Sequence, residues 1–193
     1  MDGSLQVSPA RPSGEDFRAT LVPRRPVPAL RVPVLGGGTW DLAEQRPERF
    51  SLLVFYRGFH CPVCTTYLRE LDRLHAEFAP RGVEVFTLSS DTEERAAMAR
   101  DRWGLPNLRI GYGLPIPVAR EWGLYVSASR GKSSSGVEEP AVFSEPGVFV
   151  IRPDRTLYWA SYQTMPFARP HFSEMLQAFD FIQKLDYPAR GEL

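Results

Sequence analysis

The sequence FYRGFHCPVC, residues 55–64, contains the only two cysteines of this 193-residue chain. Before it, residues 52–56 form an apolar run typical of a strand that is buried on both faces. After it, apolar residues recur every three or four positions through residues 68–78, which is the period of a helix with one face in a core. Pro62 suits a first helical position, because its missing amide would have no partner there. The stretch therefore predicts a strand, a turn and a helix that begins directly after Cys61.

This placement gives the two cysteines different expected roles. A helix amino terminus offers unpaired amides and the positive end of the helix dipole, which stabilise a thiolate, the reactive form of cysteine. In such motifs the cysteine pKa falls from about 8.5 to roughly 3.5–7.5. Cys61 is therefore the predicted nucleophile. Cys64, one helical turn later, would reach a mixed disulfide or sulfenic acid on Cys61 and is the predicted resolving thiol.

The length and the charge balance of the chain indicate a single-domain protein and argue against binding to nucleic acid or to a membrane. A chain of 193 residues fits one domain, and its 23 basic residues balance its 23 acidic ones, so it has no net field to attract nucleic acid or an anionic membrane. The sequence has no apolar stretch approaching the ~20 residues of a membrane span and no basic-then-apolar leader. We expect a cytoplasmic protein without nucleic-acid or membrane partners. A lone CxxC pair in such a chain indicates redox chemistry or metal binding more than structural cross-linking.

The order of patterns along the chain indicates an α/β fold. Residues 1–27 carry prolines and scattered charges without periodicity, which predicts a mobile or wrapping N-terminal arm ahead of a single domain over residues 28–193. Two strand–helix units follow, which predict a sheet with right-handed crossovers and helices on both faces. A hairpin over residues 147–160 and a last helix opened by Pro170 complete the pattern.

Two further segments of the chain carry local signals. Asp91, with Glu94 three residues later, has the spacing of a capping box and predicts the start of the second helix. Residues 127–140 include three consecutive serines and predict a polar, mobile loop.

The motif resembles the peroxiredoxin-like branch of the AhpC/TSA family, in the thioredoxin-like superfamily, whose members carry FYRG-x-x-C-P-x-C at this junction. Residues 32–42, 116–124 and 148–154 are also similar to that family, so the resemblance covers roughly residues 27–185. It implies a thioredoxin-like fold with a central mixed sheet flanked by helices on both faces. It further implies an enzyme that reduces peroxides or disulfides without a bound cofactor. An external thiol, such as the thioredoxin or glutathione system, would then reduce the enzyme again. The resemblance is also compatible with a homodimer.

By the same resemblance the reactive role falls on Cys61 and the resolving role on Cys64. Typical members have a threonine three residues before the reactive cysteine and a proline four residues before that, where this chain has Gly58 and Val54. The hydroxyl that would orient a peroxide is therefore absent. A distant arginine usually supports the thiolate in this family, and spacing does not choose among the candidates Arg57, Arg120, Arg152 and Arg169.

Three neighbours of the motif are candidates for tuning it. His60 would lower the Cys61 pKa as an imidazolium or move protons, and a packing role is the alternative. Arg57 would add positive potential beside the thiolate, or lie on a surface turn. Pro146 is similar in position to the cis-proline that packs against the cysteines of thioredoxin-like folds, and an ordinary trans proline at a strand start is the alternative.

Other uses of the cysteine pair remain open from sequence alone. Zinc binding would need His60, Cys61 and Cys64 with His75 or His171 as a fourth ligand, although no second ligand pair at regular spacing is present. Two buried small apolar side chains are a further alternative. Within redox chemistry, the expected function is a thiol peroxidase that resolves through an intramolecular disulfide. The alternatives are a general thiol–disulfide oxidoreductase and a non-catalytic redox sensor or scaffold that acts through the polar loop.

Overall fold

A computed structural model describes residues 21–193 of the chain. The first half contains β1 (Arg31–Pro33), β2 (Thr39–Asp41), β3 (Phe50–Phe55), α1 (Pro62–Leu74), β4 (Val83–Leu88), α2 (Glu93–Trp103) and β5 (Ile110–Gly111). The second half contains α3 (Ile116–Glu121), β6 (Val126–Ala128), β7 (Val142–Ser144), β8 (Gly147–Ile151), β9 (Leu157–Tyr162) and α4 (Phe172–Leu185). Over this part of the chain, no helix combines the length and apolarity needed to cross a membrane.

The central sheet has five strands in the order β5-β4-β3-β8-β9. Strands β3, β4 and β5 are parallel, whereas β8 runs antiparallel to β3, and β9 antiparallel to β8. All six residues of β3 are buried because the strand is central and both faces of the sheet are covered. Leu52 packs in the core with α1, α2 and α4, while Leu53 faces the opposite core with α3. The predicted mixed sheet of a thioredoxin-like fold, with helices on both faces, is confirmed.

Two predicted helix starts were wrong by one or two residues. The cap of α2 is Thr92, whose side chain accepts a hydrogen bond from the Arg95 amide at 3.4 Å, and not Asp91. Helix α4 begins at Phe172, two residues after Pro170, because the chain is still extended at His171. Asp91 instead accepts a hydrogen bond from the Phe59 amide in the cysteine motif, and the Pro170 carbonyl accepts one from Tyr67 of α1.

Residues 21–27 lie along the edge strand β9. The Arg24 amide donates to the Leu157 carbonyl at 2.8 Å, and the Leu157 amide donates to the Arg25 carbonyl at 3.0 Å. The end of the predicted arm thus pairs with the start of this strand. Residues 1–20 lie outside the described residues, so the arm and its boundary at residue 27 stay a prediction.

The segment predicted as a polar loop is largely the tip of a hairpin. Strands β6 and β7 pair antiparallel on either side of it, with Val126 opposite Ser144 and Ala128 opposite Val142. A further bridge joins Lys132 to Glu138 within the tip. The prediction missed this pairing because the serines and glycines of the tip dominate the local composition.

Candidate active site

Cys61 occupies the position directly before the first turn of α1, as the sequence predicted. Its backbone is extended, with φ −97° and ψ 105°, and Pro62 is the first helical residue. The Cys61 amide donates to the Gly58 carbonyl at 3.0 Å, and the Cys64 amide donates to the Cys61 carbonyl at 3.1 Å. Both cysteines are free thiols, 1% and 0% exposed respectively. The two side chains therefore lie at the start of α1, Cys61 just before its first turn and Cys64 within it, and both are shielded from solvent.

The two thiols differ sharply in acidity. The pKa of Cys61 is lowered to about 6, mainly because the Cys64 side chain donates a hydrogen bond to its sulfur atom. Burial opposes this shift, whereas the Cys64 amide and the positive charges of Arg169 and Arg57 add to it. The pKa of Cys64 is raised well above its ordinary value, because the side chain is buried and lies beside Cys61. At neutral pH the negative charge therefore resides on Cys61, and Cys64 is the protonated partner.

Arg169 is the arginine that contacts the sulfur atoms. Its Nη2 atom donates to Cys64 Sγ at 3.2 Å and lies 3.9 Å from Cys61 Sγ, and the guanidinium stacks 4.9 Å above the centre of the Tyr67 ring. Burial opposes the charge on Arg169, but the nearby sulfur atoms raise its pKa. Of the four arginines that the sequence left open, this is the one that the fold brings to the cysteine pair.

Arg57 is held beside the site by a buried carboxylate that the sequence reading missed. Its Nε atom lies 3.1 Å from Glu145 Oε2, and its guanidinium lies 4.7 Å from the centre of the Phe143 ring. Glu145 also accepts a hydrogen bond from Ser127 Oγ at 2.6 Å. Arg57 is therefore not a surface residue of a turn, since it ties the end of β3 to the residue that precedes Pro146.

His60 is packed and uncharged at neutral pH. Its side chain is 0% exposed, and the ring lies 4.5 Å from the centre of the Phe143 ring. Burial and the charge of Arg57 lower the His60 pKa to about 4. Of the alternatives that the sequence left open for His60, these surroundings favour the packing role over an imidazolium, because burial disfavours the charged ring.

Pro146 is buried at the start of β8, and its carbonyl accepts from the Gln163 amide at 3.1 Å. No peptide bond between residues 21 and 193 is cis, so Pro146 is the trans proline of the two alternatives.

Asp91 is a second buried carboxylate beside the motif. One oxygen accepts from the Phe59 amide at 2.6 Å and the other from Arg95 Nε at 3.0 Å. Burial raises the Asp91 pKa, although the Phe59 amide and Arg95 counteract this. Gly58 has φ +135°, and a Cβ atom there would lie 2.8 Å from both Asp91 oxygens. The carboxylate thus fills the space beside the position at which the family resemblance would place a threonine.

The tip of the β6–β7 hairpin covers the motif from one side. Ser135 Oγ donates to the His60 carbonyl at 3.4 Å, and Arg95 Nη2 donates to the Glu138 carbonyl at 3.0 Å. Across residues 21–193, no group of three or more histidine, cysteine, aspartate or glutamate side chains is arranged to hold a metal ion. The surroundings instead supply positive charge and hydrogen bonds to a reactive sulfur atom.

A sequence model of the AhpC/TSA family matches residues 23–160. The chain belongs to the AhpC/TSA family. No curated protein sequence matches it. The AhpC/TSA match ends at residue 160, so Arg169 reaches the cysteines from outside the matched part of the chain.

Solved structures share the fold at low sequence identity. Peroxidoxin BcpB from Mycobacterium tuberculosis is 20% identical with a TM-score of 0.65, over 84% of this chain and 98% of that chain. A cysteine-to-serine variant of peroxiredoxin 6 from Arenicola marina is 22% identical with a TM-score of 0.66, over 86% of this chain and 75% of that chain. Mycobacterium tuberculosis AhpC is 15% identical with a TM-score of 0.68, over 89% of this chain and 98% of that chain. The AhpC/TSA chain described here therefore has the peroxiredoxin fold.

Proposed function

We propose that this protein is a thiol peroxidase in which Cys61 reacts with the peroxide and Cys64 resolves the product. The observation that carries the proposal is the unequal acidity of the pair: the Cys61 pKa is about 6, and Cys64 stays protonated beside it. A thiolate at neutral pH is the form that attacks a peroxide oxygen. Family membership and the peroxiredoxin fold support the same reaction class.

The proposed reaction has two steps. The Cys61 thiolate attacks one peroxide oxygen, the O–O bond breaks, and the released alkoxide takes a proton, which leaves a sulfenic acid on Cys61. Cys64 then attacks that sulfur, the hydroxyl group leaves as water with the Cys64 proton, and a disulfide forms. Two thiols are oxidised and one peroxide is reduced to an alcohol and water.

Arg169 and Arg57 would support the first step by holding the charge on Cys61. His60 and Pro146 would help to hold the backbone around Cys61 in place. His60 packs against Phe143 from the turn before Cys61, and Pro146 lies buried between β7 and β8. An external thiol, such as the thioredoxin or glutathione system, would reduce the disulfide and complete the cycle. The cytoplasm, where such reductants are maintained, is the compartment that we propose.

Peroxide-dependent thiol loss, followed by stopped-flow, tests this function. The wild type should lose both thiols, Cys64→Ser should accumulate a sulfenic acid that dimedone traps, and Cys61→Ser should react at the background rate. Oxidation of Cys61 no faster than that of free glutathione at the same pH would reject the peroxidase.

One observation favours a second function, thiol–disulfide exchange. Position 58 has no hydroxyl, and the Asp91 carboxylate fills the adjoining space, so a group that orients a peroxide is missing there. A Cys61 thiolate with Cys64 beside it can attack a disulfide without such a group. Insulin reduction by the wild type and by Cys64→Ser distinguishes this function, because only the wild type should turn over.

A further inference from the structure

Residues 164–170, which join β9 to α4, carry Arg169 to the sulfur atoms, and we call them the arginine strap. They form neither helix nor strand. Among the described residues, the backbone of the arginine strap makes one hydrogen bond, in which the Pro170 carbonyl accepts from Tyr67 Oη at 2.9 Å. Ala168 has φ +55°, a conformation that a non-glycine residue rarely adopts. The backbone by itself therefore holds the arginine strap only weakly.

Within residues 21–193, the acceptors that the Arg169 guanidinium contacts are the two sulfur atoms of the cysteine pair. The residue is 9% exposed, and no carboxylate of residues 21–193 forms an ion pair with it. Its Nη2 atom contacts the two sulfur atoms, and its plane lies on the Tyr67 ring. Its Nε and Nη1 atoms have no hydrogen-bond partner among the residues that the structure describes. A buried cation is stable only when it is paired. In this part of the chain, the negative charge that contacts Arg169 is thus the thiolate of the cysteine pair.

We propose that the arginine strap is a redox-controlled latch, closed while Cys61 is a thiolate and released when a Cys61–Cys64 disulfide removes that charge. The proposal rests on the proposed function, which forms this disulfide. Oxidation takes two electrons and the remaining thiol proton from the pair and leaves both sulfur atoms neutral. Arg169 then stays buried without an anion, and the weakly held strap moves it to water.

Release would also make the disulfide accessible. Cys61 and Cys64 are 1% and 0% exposed, whereas a reductant thiolate must reach one of the sulfur atoms. A groove of about 180 Å³ between α1 and the arginine strap is lined by Tyr67, Phe167 and Arg169, and Arg169 in turn contacts both sulfur atoms. Movement of the strap would extend this groove to the sulfur atoms, so the oxidised form alone would admit the reductant.

Chymotryptic cleavage after Phe167 reports the state of the latch. Phe167 is 59% exposed in the closed form, but a protease needs the surrounding backbone to detach. Cleavage after Phe181 of α4, which is 51% exposed, provides an internal reference. Three forms are compared: the reduced wild type, the wild type oxidised with diamide, and reduced Cys61→Ser/Cys64→Ser, which has no thiolate. We expect cleavage after Phe167 to be roughly tenfold faster in the last two forms, because both leave Arg169 unpaired.

Arg169→Met distinguishes an effect of the unpaired Arg169 charge from a general destabilisation of the arginine strap by oxidation. Without the cation, cleavage after Phe167 should proceed at the same rate in the reduced and oxidised forms. The matched control is Arg152→Met, since Arg152 also stacks on a tyrosine ring, 5.0 Å from the centre of Tyr158, away from the sulfur atoms. This variant should keep the wild-type dependence on oxidation.

The outcomes for the latch and for the proposed function are distinct. If Cys61→Ser/Cys64→Ser were cleaved after Phe167 as slowly as the reduced wild type, the latch would be overturned, whether or not the wild type reacts with peroxide. Fast cleavage after Phe167 in that variant would support the latch. If peroxide oxidised neither thiol of the wild type, that separate result would reject only the peroxidase function. Phenylglyoxal labelling of Cys61→Ser/Cys64→Ser should modify Arg169 as readily as the exposed Arg25, and an Arg169 that stays unlabelled would also overturn the latch.

Discussion

The carboxylate of Asp91 lies against Gly58, where a Cβ atom would stand 2.8 Å from both of its oxygens. The same carboxylate accepts the amide of Phe59 at 2.6 Å. The turn that presents Cys61 is therefore shaped by a side chain 30 residues further along the chain, and this contact admits only glycine at position 58.

Gly58→Ala should destabilise the fold by roughly 2 kcal/mol or more, because the new methyl group meets the Asp91 carboxylate at a φ that disfavours side chains. Gly36→Ala is the matched control, since Gly36 has φ +94° but no atom within 4 Å of the added Cβ, and we expect about 1 kcal/mol there. Urea unfolding measures both values. Equal losses would show that backbone conformation alone, and not Asp91, selects glycine at position 58.

Asp91→Ala should cost on the order of 3 kcal/mol in the free energy of unfolding, because it leaves the Phe59 amide and the Arg95 guanidinium without their acceptor. Asp91→Asn, which can still accept from the amide, should lose less. The control is Asp101→Ala, which removes a carboxylate paired with Arg100 on the surface of α2 and should leave stability unchanged. A similar effect of the two alanine variants in urea unfolding would contradict the structural role of Asp91.

The strand, turn and helix around the cysteines could be predicted because their signals are local. The apolar run, the helical period and Pro62 all lie within about 25 residues, and the helix begins directly after Cys61 as expected. Periodicity and proline geometry act over such distances. The order of these units then limits the fold to a mixed sheet with helices on both faces.

The partners of the cysteines could not be predicted in the same way. Arg169 reaches Cys64 across 105 residues, and Asp91 reaches Phe59 across 32. A single charged side chain carries no periodic signal, so the sequence left four arginines equivalent and assigned Asp91 to a helix cap. His60 adjoins Cys61 in the sequence, but its protonation state depends on burial against Phe143 of β7 and on the charge of Arg57, which no local pattern shows.

The titration of Cys61 should have its midpoint near pH 6, the pKa that its surroundings produce. Thiolate absorbance in the ultraviolet measures the midpoint directly, and alkylation by iodoacetamide should accelerate as the pH rises through the same value and then level off. Arg169→Met should shift the midpoint upward, because it removes a positive charge next to the sulfur atoms. Arg152→Met should not shift it. A wild-type midpoint near that of an ordinary thiol would contradict the assignment of Cys61 as the nucleophile.

Acid should destabilise the protein through His60. Its pKa is about 4 in the folded chain against an ordinary 6.5, so between these values the unfolded chain binds more protons, and the free energy of unfolding falls as the pH is lowered from 6.5 to 4. The full loss is on the order of 3 kcal/mol. His60→Phe keeps an aromatic contact with Phe143 and cannot take up the proton, so its stability should decline less over this range.

The comparison of wild type and His60→Phe at each pH isolates this contribution. Asp91, whose pKa burial raises, binds its proton more readily in the folded chain and therefore acts in the opposite direction as the pH falls. Because Asp91 is present in both proteins, its effect cancels in their difference. Urea unfolding at several pH values between 7 and 4 should give two curves that diverge below about pH 6.5. Parallel curves would mean that His60 accepts a proton in the folded state as easily as in the unfolded one, which would require its pocket beside Phe143 to open to water.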